Sequence, residues 1–354
     1  MKTTTTRSFL LVVVFWFILS VTFAQSSSCN YFCCPTDRTP AGIMMSNIHK
    51  KGEWMASYRF MNVNMKDNLF GSTKISDDLI YQNYLMTPRK MSMDMHMLML
   101  MYGLTDKITV MAMMNYNSMS MNMSMLPETS MQMPEMDMGP NTTSASIRSS
   151  HIGDTKLNIM YGLLNSQRRH ILISAGVSLP TGSTHSKGSQ ESMYPTTRLP
   201  YSMQTGSGTV DILPSVTYLF EKNSFTWGTQ ATAVIRSSYN SIGYKMGNEL
   251  KLNSWLTYQW SRWTSNSLRI EGTTTGAIQG SDATVQSILE PAANPINYGG
   301  QKTNAFLGLN YYFRKGILNN NRLAVEYGVP LYQYVNGIQS GIGNTLYAGW
   351  QVKF

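Results

Sequence analysis

From residue 53 onward, apolar and polar side chains alternate with period two, and the alternation is interrupted at intervals short enough to mark strands. Twelve segments carry the pattern: 53–64, 91–102, 107–118, 152–163, 169–179, 208–220, 224–236, 248–260, 266–276, 302–313, 321–333 and 342–354. A strand turns successive side chains to opposite faces, so each segment has one apolar and one polar face. In the last segment Leu346, Ala348, Trp350, Val352 and Phe354 share one face, and Thr345, Tyr347, Gln351 and Lys353 the other. Such a wall suits lipid on one side and a wet lumen on the other.

The connections alternate in length. Turns such as 104–106, 221–223 and 261–265 take turns with stretches at 65–90, 119–151, 180–207 and 277–301. Short turns at one rim, long loops at the other and an even strand number are the organisation of an outer-membrane barrel. The pattern predicts an all-β fold: a transmembrane, antiparallel, up-and-down barrel of about 12 strands with both termini in the periplasm. Aromatics gather at the short-turn rim, with Tyr102, Tyr161, Tyr218, Tyr258 and Tyr311 ending descending strands and Trp54, Phe225 and Trp227 starting ascending ones. A common height reads as an interfacial girdle.

The polar faces predict a lumen lined by Arg59, Asp154, Lys156, Asp211, Glu249, Lys251, Arg269 and Glu271. A charge turned to lipid near the midplane costs a few kcal/mol, so this parity fixes the register. The loop at 180–207, with Pro180, Pro195, Pro200 and several glycines, is too long for a spacer and predicts a lid or constriction over the mouth.

The N-terminus adds targeting. Lys2 and Arg7, the apolar run 9–19 and the small-residue exit at Thr22-Phe23-Ala24 read as a signal peptide over 1–24. No later stretch is long and apolar enough for a spanning helix, so any membrane crossing falls to strands. Residues 25–52 then form a periplasmic segment and 53–354 the barrel. Removing Lys2 and Arg7 lowers the formal charge from +9 to +7 without leaving a basic run, which gives no case for nucleic acid. Cys29, Cys33 and Cys34 follow the signal in an oxidising compartment; one disulfide with a spare thiol, capture of a soft metal and a lipid anchor are the readings open to them.

The most unusual stretch is 91–138, which holds seventeen of the 28 methionines. They recur at period two, as Met91, Met93, Met95, Met97, Met99 and Met101, then Met111 and Met113, then Met119, Met121, Met123 and Met125. A short turn at 103–106 pairs the two strands so that these odd positions adjoin. One reading is flexible apolar filler, or a lipid-facing stripe. The other is a thioether ladder for Cu(I) or Ag(I), formed by Met111, Met113, Met119, Met121, Met123 and Met125, with Met91, Met93, Met95 and the three cysteines as additional ligands. Thr109, Asn115 and Asn117 share the parity of Met111 and Met113, which turns those two toward water. Asp94 and His96, however, lie opposite the methionines of their own strand, a conflict that a bulge near 97 would remove. Beyond Met119 the intervening serines and Asn122 suggest a wet extension outside the membrane.

His49, His96, His151, His170 and His185 have no zinc-motif spacing and read as isolated surface residues. No nucleophile has an evident base, and Asp154 with Lys156 or Arg269 with Glu271 reads as a lumen ion pair. An enzyme is not expected; an outer-membrane lipid-modifying activity is the weakest of three readings.

Four segments carry a family resemblance: Gly153-Asp154-Thr155-Lys156-Leu157, Ser178-Leu179-Pro180-Thr181-Gly182, the run from Arg198 to Thr209, and Gly328-Val329-Pro330-Leu331-Tyr332-Gln333. In this order, from about His49 to the C-terminus, the chain resembles the outer-membrane proteins of the MetA-pathway phenol-degradation family. The resemblance implies a barrel channel for small, often aromatic, compounds. The closing strand with its terminal Phe354 resembles the signal read by the barrel assembly machinery, and the methionine block is similar in composition to Met-rich segments of copper-resistance outer-membrane proteins. The expectation is therefore a channel in the outer membrane of a Gram-negative-type bacterium, surrounded by lipid. It passes small solutes and binds or passes Cu(I) or Ag(I) along the methionine face, requiring no cofactor. Passive diffusion of small hydrophobic or aromatic molecules is the alternative.

Overall fold

The computed structural model describes residues 38–125, 144–187 and 198–354. Residues 1–24, read as a signal peptide, together with Cys29, Cys33, Cys34 and the methionines at 131–138, lie outside the described residues. Eleven strands form the wall: β1 (Trp54–Gly71), β2 (Met86–Gly103), β3 (Ile108–Met125), β4 in two pieces (Ser144–Ile152 and Thr155–Asn165) and β5 (Arg169–Leu179). They continue as β6 in two pieces (Asp211–Ile212 and Ser215–Lys222), β7 (Phe225–Arg236), β8 (Glu249–Gln259), β9 (Thr264–Thr275), β10 (Gly300–Phe313) and β11 (Asn321–Lys353). Each pairs antiparallel with the next, and β11 pairs with β1 from Met55 opposite Lys353 to Gly71 opposite Val335. The ring is closed and has no free edge.

β11 is itself a hairpin. Its first limb, 321–335, lies against β10, and its second, 338–353, against β1. Between them Gly337 takes a φ of +60°, a left-handed value that favours glycine. Gln333 Nε2 and Oε1 bond the Ile342 backbone at 3.0 and 2.8 Å, and Trp350 Nε1 donates to Asn321 Oδ1 at 2.7 Å. Counting both limbs, the chain crosses the wall twelve times, as the alternation implied.

The inward and outward faces follow the expected parities. Leu250, Leu252, Leu256, Leu268 and Ile270 are exposed on the outer face, while Asn253, Arg269 and Glu271 are buried on the inner one. The girdle is also present. Trp54, Tyr161, Phe225, Trp227 and Tyr311 are exposed, and rings stack between neighbours at 4.5 Å for Trp54 with Tyr102 and 4.7 Å for Phe225 with Tyr258.

The strand lengths differ from expectation. β1, β2 and β3 each run 18 residues, so segments expected as loops after 64, before 91 and after 118 are strand. At roughly 3.3 Å per residue and about 40° of tilt they rise on the order of 45 Å, well past an apolar band about 25 Å tall. On β2 the methionines face inward over their whole length, and Asp94 and His96 face outward, where side chains of β1 partner them. There Asn62 Nδ2 donates to Asp94 Oδ1 at 2.6 Å, and Tyr58 Oη lies 2.7 Å from His96 Nδ1. No bulge occurs near 97; the register shift lies between Pro88 and Lys90.

The C-terminus closes on the first strand. Trp54 and Phe354 exchange backbone bonds of 2.9 and 3.0 Å, Lys353 Nζ reaches Glu53 Oε2 at 2.8 Å, and the Phe354 ring is exposed. Replacing Phe354 by a charged residue is expected to reduce the yield of heat-modifiable barrel more than the same change at Lys353, because only Phe354 puts that charge on the lipid side. Equal, normal yield from both variants on a detergent gel would count against this.

Candidate functional site

Residues 38–49, placed in the periplasm by sequence, lie inside the barrel at its short-turn end. Polar residues project from the wall to meet them, because a chain crossing a lumen needs partners for its own amides and carbonyls. Arg59 Nη1 donates to the carbonyls of Ala41 (2.8 Å) and Ile43 (2.6 Å), Gln230 Nε2 to that of Met44 (2.7 Å), and Arg38 Nη1 to that of Asn223 (3.0 Å). Arg322 donates to the carbonyl of Thr39, and the amide of Gly42 donates to the Glu326 carboxylate. Ile43 and Ile48 pack beneath Met97, Met99, Met101, Met111 and Met113.

The deepest anchor is Arg269, fully buried on β9. It donates to Glu326 (3.1 Å), Asn253 (2.9 Å) and Glu271 (2.8 Å), with its guanidinium 3.8 Å from the Phe306 ring centre. A Cβ at position 42 would fall 2.2 Å from Arg269 Nη2, so glycine lets the inner segment reach this cluster. Gly42 is required by proximity alone.

At the opposite end the loop following β5 folds inward. Asp154, in the break between the two pieces of β4, accepts from the amides of Gly182 (2.9 Å) and Ser207 (2.8 Å) and from Ser207 Oγ (2.8 Å). Thr181 Oγ1 accepts from the Thr155 amide at 2.8 Å and donates to the Gly153 carbonyl at 3.0 Å. Gly182 and Gly206 meet backbone to backbone, where a Cβ on either would fall within 2.7 Å of the other. Three of the four segments behind the family resemblance thus converge on one carboxylate. Asp211, which unlike Asp154 is fully buried, takes Thr209 Oγ1 at 2.6 Å and Ser207 Oγ at 3.1 Å and pairs with Arg236.

The later part of this loop, 198–209, is locked to its neighbours above the lumen. Tyr201 packs edge-on against Tyr244 (4.9 Å) and Tyr298 (5.8 Å), and Arg198 Nη1 lies 2.6 Å from Asp282 Oδ2. Burial pushes the Tyr244 hydroxyl up to about 12, so it stays neutral at physiological pH. Burial also raises Asp282, but its bonds to Arg198 and Thr284 outweigh this and hold the carboxyl below its usual range. The pairing is therefore kept at neutral pH and lost only as the solution is acidified through that lowered value.

Between the inner segment and the folded loop lies a cavity of about 440 Å³. One wall is methionine, from Met61 on β1, Met95 and Met97 on β2, and Met111 and Met113 on β3. β2 and β8 are diametrically opposed in a ring of twelve passes, so this wall faces Glu249, Lys251 and Glu271. Asp154, Lys156 and Arg236 also reach the cavity, which places most of the expected lumen residues around one space. Arg59, Asp211 and Arg269 act instead as anchors of the inner segment and the loop.

The methionines do not form the single continuous face that was expected. Asn115 and Asn117 interrupt it, leaving Met111 and Met113 beside the cavity and Met119, Met121, Met123 and Met125 in a separate cluster near the loop end. The extension beyond Met119 is dry inside, since all four of these are buried. His49 and His170 are likewise buried, against the expectation of surface histidines. Among the described residues, no group of three or more His, Cys, Asp or Glu is placed to hold a metal.

Sequence reasoning missed the inner segment, Arg322 and Glu326. The last two lie on β11 opposite the outward parity of Leu323, Val325 and Tyr327, a signal that was there to be read.

The chain matches no protein-family model, and no curated protein matches it by sequence. Solved structures do match. An outer-membrane channel from Pseudomonas putida F1, of the COG4313 group, superposes with a TM-score of 0.56 at 16% identity, covering 86% of this chain and 96% of that one. The Pseudomonas putida toluene transporter TodX gives 0.41 at 10% identity, over 93% and 96%. The first likeness shows the fold, a closed antiparallel β-barrel of the outer-membrane type.

Proposed function

We propose that the protein is an outer-membrane channel for small, predominantly hydrophobic or aromatic compounds that carry a polar group. The observation that carries this reading is the two-sided cavity, with thioethers on one wall and Glu249, Lys251 and Glu271 on the other. Methionine is unbranched and polarisable, adapts to differently shaped apolar bodies, and gains about 0.3–1.5 kcal/mol in a contact with an aromatic ring. The charged wall would orient a hydroxyl or similar substituent. A volume of this size sits within the usual range for small-molecule sites. The shared fold with a solved outer-membrane channel supports the reading, and so does the resemblance carried by the segments around Asp154. Passage of metal ions has no such support from this cavity.

Proteoliposome flux tests it. The parent protein should pass a monohydroxylated benzene faster than a neutral sugar of comparable size, and M97N/M113N should lower the aromatic flux several-fold while leaving sugar flux nearly unchanged. If the two solutes move equally in the parent, or the double variant changes neither, the reading fails.

A further inference from the structure

The second methionine cluster lies outside the cavity and has its own chemistry. Strand register sets Met65 on β1 opposite Met91 on β2, and Met91 opposite Met121 on β3, so three thioether side chains stand in one row across neighbouring strands. Directly opposed residues have Cβ atoms about 4.5–5.5 Å apart, close enough for their sulfurs to share one ion. Met119 and Met123 flank the row along β3, and Met203 descends onto it from the folded loop.

Apolar filling alone does not account for where methionine is used. On the outer face the large apolar residues are leucine, isoleucine, valine and aromatics, and Met114 is the one methionine among the described residues that is exposed there. Inside, methionine takes every inward position of β2 from 91 to 101 and six of the nine on β3 from 109 to 125. If bulk and hydrophobicity were all that mattered, Leu and Met would mix on both faces. The other in-register row, Met55, Met101 and Met111, is already engaged: Gln351 Nε2 lies 2.7 Å from the Met55 sulfur, and the row shares its buried cluster with Ile43 and Ile48 of the inner segment.

We infer that the row Met65, Met91 and Met121, with Met119, Met123 and Met203 around it, is a binding site for a soft monovalent cation, Cu(I) or Ag(I). Thioether sulfur is neutral and polarisable, which suits a soft ion of low charge and poorly offsets the dehydration of Zn(II). Because thioether sulfur has no proton to lose, binding should hardly change between mildly acid and neutral pH. The site is independent of the aromatic-channel reading, as none of these six residues lines the cavity.

Ag(I), which avoids copper redox chemistry, is the probe. Calorimetric titration uses the full chain in detergent with Cys29, Cys33 and Cys34 changed to Ser, so that thiolates do not compete. The expected result is Ag(I) binding that excess Zn(II) does not displace. M65L/M91L/M121L should weaken it about tenfold or more, and M55L/M101L/M111L should leave it within about twofold. Should the first variant not fold, protein with norleucine in place of methionine keeps the shape without sulfur and must lose the binding. Parent-like affinity in the Leu variant or the norleucine protein, equal loss in both rows, or displacement by Zn(II) overturns the proposal. Aromatic flux is measured on the same preparations, so loss of Ag(I) binding with flux retained separates the two functions.

Discussion

Arg269→Ala is expected to cost about 3–5 kcal/mol of barrel stability, the range for breaking a buried ion pair from one side. The guanidinium is fully buried and serves Glu271, Glu326 and Asn253 at once while stacking on Phe306. Removing it leaves two buried carboxylates facing each other without their cation. Arg269→Lys should recover only part of the loss, because an ammonium can neither hold this planar set of acceptors nor stack on the ring. Adding E271Q and E326Q to the Ala variant should restore much of it, since the residual charge is what costs. Urea unfolding followed by heat-modifiable migration reads all three. If Arg269→Ala lies within about 1 kcal/mol of the parent, the cluster does not anchor the barrel in the way described.

Asp154→Ala should open the long-connection end. Its carboxylate accepts three hydrogen bonds from two points of the folded loop, and a hydrogen bond to a charged group is worth about 1.5–3 kcal/mol. Losing even one such bond shifts the population of the seated loop by about tenfold or more. Single-channel recordings of the variant should show larger and noisier conductance than the parent, and the loop should become open to protease. Asp154→Asn, which keeps one acceptor oxygen, should fall between. Unchanged conductance and cleavage in Asp154→Ala would mean that the loop is held without this carboxylate.

The wall was legible because lipid enforces it. With charges excluded from one face, period-two alternation fixes both the parity of residues such as Leu252 and Asn253 and the number of passes. Loop 180–207 was legible as a constriction from its length and its Pro and Gly content, although not through Asp154, because a residue in a strand break reads from sequence like any other lumen carboxylate. The ends of β1 to β3 were misplaced since a strand that rises above the membrane no longer needs an apolar outer face. Lys66, Lys90 and Ser120 therefore look like loop. The inner segment was illegible for a different reason: its partners Asn223, Gln230 and Glu326 are remote in sequence, and the bonds run mostly to its backbone, which carries no sequence signature.

Those remote partners also order events in time. The bond from Arg38 to Asn223 spans 185 residues and that from Gly42 to Glu326 spans 284. Contacts so distant along the chain form late, because the loop-closure entropy is met only once the intervening strands are in place. The first described residues to be synthesised are thus among the last to reach their native position, since Thr39 and Gly42 lack their partners Arg322 and Glu326 until β11 exists.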